Sequence, residues 1–106
     1  MKLLLVISAN DPENLYNALR LASFSQGAGD TVSVFLMGAG VEIASVPVEP
    51  FNVIGKADAF LHDGGDILAC GTCLERRGLG KNPLYTVSDL KALRDLMRES
   101  DKVLTF

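Results

Sequence analysis

An α/β domain with a mostly parallel sheet, covered by helices on both faces, is the fold class this sequence predicts. Three observations point there. Aliphatic runs alternate with segments of helical spacing along all 106 residues, the pattern of repeated strand–helix units. The opening run from Lys2 to Ser8 is apolar without alternation, as expected of a strand buried on both sides. Glycines close successive units, in "QGAGD", Gly38-Ala-Gly40, Gly64-Gly65 and Gly78 with Gly80.

Each element follows in order. After the first strand, Asp11-Pro12-Glu13 supplies a helix cap, a proline for the first turn and an acid beside it. Leu15, Ala18, Leu19 and Ala22 then recur at helical spacing. Thr31 to Met37 is β-branched and apolar and reads as the second strand. Gly38-Ala-Gly40 ends it, and Val41 to Ser45 forms a short helix before the irregular "VPVEPFN". Val53 to Asp63 is helical, with Ile54, Ala57, Phe60 and Leu61 on one face. Asp66 to Ala69 is a third strand, and Gly71 to Arg77 a short helix directly after it. Leu84 to Thr86 gives a brief fourth strand. Ser88 caps a last amphipathic helix that runs to about Ser100 through Leu90, Leu93, Leu96 and Met97, and Val103 to Phe106 is the terminal strand.

Bulk composition excludes several function classes. At 48% apolar and 22% charged, the chain has ample material for one core and is far from the composition of a disordered segment. A single domain over residues 1–106 is expected. A formal net charge of −3 leaves no basic field for a phosphate backbone, so no nucleic acid partner is expected. The run "LLLVI" is too short for a signal-peptide core or a membrane span, which points to the cytoplasm and to no membrane partner.

In open parallel sheets the reactive groups lie at the carboxyl ends of the strands. Three loops qualify: Ser8 to Glu13, Gly38 to Val41, and Cys70 to Cys73. The last holds both cysteines of the chain, in "DILACGTCLERRG". In a reducing compartment such a pair points to catalysis, redox chemistry or metal binding rather than to a permanent disulfide. Cys70 falls at or beside the N-cap of the short helix, where unpaired backbone N–H groups favour a thiolate. The backbone amides of Gly71 and Thr72 would stabilise charge developing there. Cys73 lies one helical turn further on, within reach of a disulfide with Cys70 or of a sulfur carried on it. The bland alternative is two buried small hydrophobes.

Other motifs are weaker. A zinc site needs about four ligands, and His62 is the only other soft candidate, so no metal is expected within one chain. His62 itself reads as a solvated residue in the last turn of its helix. A thioredoxin-like reading of Cys-Gly-Thr-Cys lacks the flanking tryptophan and the proline between the cysteines. Gly38-Ala-Gly40 has Ile43 where a dinucleotide fingerprint needs glycine, so it reads as a tight turn and no cofactor is expected. Arg76 and Arg77 stand at the far end of the short helix, where cations complement its dipole.

The cysteine segment "CGTCLERRG", the "FLMGAGV" after the second strand and the closing "DKVLTF" together resemble the DsrE/DsrF-like family, which includes TusD-like sulfur relay proteins. The resemblance covers essentially the whole chain. It implies a three-layer α/β/α domain with a five-stranded sheet, subunits assembled as trimers or hexamers, and sulfur carried as a cysteine persulfide between donor and acceptor proteins. It places the persulfide on Cys70, eight residues before Gly78, and leaves the role of Cys73 open. A dithiol oxidoreductase using both cysteines and a non-catalytic oligomeric scaffold are the alternatives.

Overall fold

A computed structural model describes residues 1–106. Five strands form one parallel sheet in the order β4-β3-β2-β1-β5. They are β1 (Lys2–Ile7), β2 (Thr31–Leu36), β3 (Asp66–Cys70), β4 (Thr86–Ser88) and β5 (Lys102–Thr105). The helices are α1 (Pro12–Gly27), α2 (Val53–His62), α3 (Gly71–Arg76) and α4 (Leu90–Glu99), and a 3-10 segment spans Gly38–Ser45. The fold is therefore the expected α/β/α sandwich, and its sheet is wholly parallel.

Alternation along the strands divides the interior. Leu3, Leu5 and Ile7 of β1, Val34 and Leu36 of β2, and Ile67 and Ala69 of β3 point to one face, where they pack with α1 and α2 in the larger core. Leu4, Phe35 and Cys70 point to the other face and meet Leu93 of α4 in a cluster of four buried residues. Asp11 caps α1 as expected, its carboxylate accepting from Asn14 N at 3.0 Å. The segment before α2 is held to α1 by Tyr16 and Phe51, whose ring centroids are 5.6 Å apart.

Most boundaries fall within a residue of expectation, and three differences have a physical reason in the packing. The fourth strand begins at Thr86 rather than Leu84, because Leu84 and Tyr85 are buried in the larger core as the chain arrives. Asn82 accepts from Leu84 N through its side chain, and the Tyr85 hydroxyl donates to the Gly80 carbonyl, so these residues close a loop instead of extending a ladder. The cap of α4 is Asp89, accepting from Ala92 N at 2.9 Å, and Ser88 is the last residue of β4. The 3-10 segment starts at Gly38, three residues before the helix expected there.

Two glycines explain that start. Gly38 has φ +53°, a conformation costly for residues with a side chain. A Cβ at Gly40 would stand 2.3 Å from the Ile7 carbonyl oxygen, so only glycine lets the segment lie on the end of β1.

Candidate functional site

Strand β3 delivers Cys70 to the carboxyl edge of the sheet, opposite Ser88 of β4 in the ladder. It leaves the strand at φ −63°, ψ 117° and is the N-cap of α3, as its position after an apolar run implied. Its side chain makes no capping hydrogen bond, and the residue is 5% exposed, turned toward Leu4, Phe35 and Leu93. Gly71 and Thr72 are the first two residues of α3. A Cβ at Gly71 would meet the Ser88 carbonyl at 3.2 Å, so this glycine also allows β4 to lie close.

Cys73, one turn along α3, is half-buried and touches both hydrophobic clusters. Its Sγ accepts a hydrogen bond from Gly38 N at 3.2 Å, short for an acceptor as large as sulfur. This contact joins two of the three loops at the carboxyl edge. It also holds the Cys73 thiol below the usual thiol range. The Gly38 N–H is the largest cause; desolvation comes next and opposes it, and the Cys70 side chain, Arg77 and Arg76 add smaller effects in the lowering direction. Both cysteines are free thiols.

The two arginines part company. Arg77 donates through Nε to Glu42 of the 3-10 segment at 3.0 Å and through Nη1 to the Cys73 carbonyl at 3.2 Å. It thus closes the end of α3, the capping role the sequence suggested, and ties that end to the segment carrying Gly38. Arg76 is exposed.

The third loop contributes less. Ser8 is bound to the chain terminus, its N–H donating to the Phe106 carbonyl at 2.9 Å, and Asp11 is occupied as the cap of α1. His62 is exposed in the last turn of α2. No three His, Cys, Asp or Glu side chains converge. No helix is long and apolar enough to cross a membrane. Sequence reasoning placed Gly38 in a candidate loop but missed its bond to Cys73, and it missed Glu42 altogether. Gly38 acts through a backbone N–H, which every non-proline residue carries, and the only available signal was a glycine closing a strand at the carboxyl edge.

The sequence model of the DsrE/DsrF-like family matches residues 1–106. The chain belongs to this family. A protein of Methanopyrus kandleri described as uncharacterized is 31% identical over 100 residues, covering 89% of this DsrE/DsrF-like chain and 83% of its own length. The crystal structure of the ychN protein from E. coli matches with a TM-score of 0.83 and 26% identity over 100% of both chains. A conserved protein of unknown function from Bacteroides thetaiotaomicron has a TM-score of 0.79 at 21% identity, covering 99% of this chain and 94% of its own, and so shares the fold.

Proposed function

We propose that this DsrE/DsrF-like chain is a small sulfur-carrier subunit that accepts sulfane sulfur as a persulfide on Cys70 and passes it to a partner's thiol. The observation that supports this most directly is the hydrogen bond from Gly38 N–H to Cys73 Sγ beside Cys70. It sets a hydrogen-bond donor on a thiol that is held below its usual range, next to a second thiol, at the edge where parallel sheets keep their reactive groups.

The chemistry divides between the two sulfurs. In its deprotonated form Cys73 would take the proton of the Cys70 thiol as the Cys70 sulfur attacks the outer sulfur of a donor persulfide. A sulfur–sulfur bond forms on Cys70, the donor's sulfur–sulfur bond breaks, and the donor leaves as a thiol or thiolate. The first amides of α3, from Gly71 and Thr72, would stabilise the persulfide charge that results. Burial of Cys70 shields the loaded sulfur from bulk thiols. Donor and acceptor are proteins that present a persulfide and a thiol.

Intact-mass spectrometry tests this after incubation with a cysteine desulfurase and cysteine, with free thiols trapped by alkylation. Wild type gains roughly 32 Da, Cys70→Ser gains nothing, and Cys73→Ser loads more slowly. Full sulfur acceptance by Cys70→Ser overturns the assignment to Cys70, and no adduct on any of the three proteins overturns the carrier reading.

The same contact favours one second reading, a dithiol couple, because a thiol held below its usual range beside a second thiol also suits disulfide exchange. Its signature is the loss of two hydrogens, needing both cysteines, in place of the added sulfur. We further propose self-association as a trimer or hexamer, supported by the exposed Leu90 and Met97 of α4 and Val103 and Leu104 of β5. Light scattering of the purified protein tests it, and a monomer at all concentrations refutes it.

A further inference from the structure

We propose that Glu42 and Arg77 form a latch that keeps the Gly38 N–H on Cys73 Sγ, making both residues positioning residues for the reactive thiol. The inference rests on the sulfur-carrier reading for its purpose, and on distances alone for its existence. The 3-10 segment that carries Gly38 is seated on β1 by two contacts near its start: Met37 N donates to the Ile7 carbonyl at 3.0 Å, and Gly40 lies against the same carbonyl. These contacts fix the start of the segment against the sheet and leave a distance between its Glu42 end and the end of α3. That distance is bridged by Arg77, which reaches Glu42 through Nε and the Cys73 carbonyl through Nη1. One planar guanidinium therefore grips the backbone of the cysteine and the segment that supplies its hydrogen-bond donor.

The surroundings of Cys73 make the effect separable. From the 3-10 segment it meets the Gly38 amide, from the end of β3 the Cys70 thiol, and from its own helix Arg76 and Arg77. Glu42 reaches it only through Arg77, and α4 brings apolar Leu93 and Leu96 to the adjoining cluster. If the ion pair acted only through its field, removing the Glu42 carboxylate would leave Arg77 uncompensated and make the Cys73 thiolate form more readily. If it acts as a latch, the same change releases Gly38 and makes the thiolate form less readily. The two predictions have opposite signs.

The test is the rate of iodoacetamide alkylation at Cys73 as a function of pH, resolved by peptide mass mapping, on the full chain carrying Glu42→Gln, Glu42→Asp or Arg77→Lys. The latch predicts that Glu42→Gln moves the midpoint upward and slows alkylation at neutral pH by about threefold to tenfold, the latter corresponding to a full unit. Arg77→Lys keeps the charge but loses the two-ended grip, so it moves the midpoint in the same direction. Glu42→Asp keeps the pair and stays closer to wild type than Glu42→Gln. A midpoint unchanged or lowered in Glu42→Gln overturns the latch. Alkylation needs no sulfur donor, so a failed persulfide assay leaves this result standing. A wild-type Cys73 that titrates as an ordinary thiol overturns the effect of the Gly38 contact that the latch maintains, whereas the carrier reading is decided by sulfur loading on Cys70.

Discussion

Replacing Gly40 with alanine tests whether the site is held by backbone packing at the end of β1. The added Cβ would stand 2.3 Å from the Ile7 carbonyl oxygen, more than an ångström inside the 3.4 Å at which ordinary contact begins, and 3.0 Å from its carbon, also inside that limit. Neither atom belongs to a flexible side chain. The Ile7 carbonyl already accepts from Met37 N, so it cannot retreat without losing that bond. The 3-10 segment must therefore lift from β1, at a cost of about 1–3 kcal/mol, the usual range for overpacking. Because Gly38 is two residues away on the same segment, its N–H leaves Cys73 Sγ. Urea denaturation should show the stability loss, and the pH profile of Cys73 alkylation should move upward in the protein that remains folded. Wild-type stability together with a wild-type profile would refute the packing argument.

Other expectations follow from single contacts. Asp89→Ala should cost about 1 kcal/mol by removing the cap of α4, whereas Ser88→Ala should cost clearly less because Ser88 caps nothing; comparative thermal denaturation checks both. Phe60→Ala should destabilise by about 3–5 kcal/mol in urea titrations, since Phe60 is fully buried and its ring fills the space over Gly65. In wild type, Cys73 should alkylate faster than the buried Cys70 at neutral pH. Its folded-state thiol lies below the ordinary range, so its thiolate contributes stability at alkaline pH that is lost as the pH falls through that lowered value. Site-resolved alkylation and denaturation at two pH values measure the pair of effects.

Much of this fold is legible in the sequence because it is written in local chemistry. Asp11-Pro12 starts a helix wherever it occurs before an apolar periodic run, and the unbroken aliphatic run of β1 suits only a strand covered on both faces. The shift of β4 was not legible. Leu84 and Tyr85 look like strand residues, and it is the core beneath them that takes their side chains before the ladder begins. Ser88 and Asp89 are equally good caps in sequence, and only the strand ending at Ser88 decides between them. At the site, the placement of Cys70 after a strand and before a helix was legible, as was the end-of-helix role of Arg77. The partnership of Cys73 with Gly38 was not, since it joins residues 35 positions apart through a main-chain donor.

The unequal division of the interior bears on how the site breathes. One face of the sheet holds 21 buried residues, the other four, and the second face is roofed by the single ten-residue helix α4. Local opening follows the smaller buried surface, so amide hydrogens of α4 should exchange with solvent well before those of α1 or β1. Cys70 belongs to the small cluster and Cys73 touches both. Lifting α4 would thus bare the Cys70 sulfur while the larger core and the Gly38 contact stay closed, giving a buried thiol a route to a partner that does not require the domain to unfold.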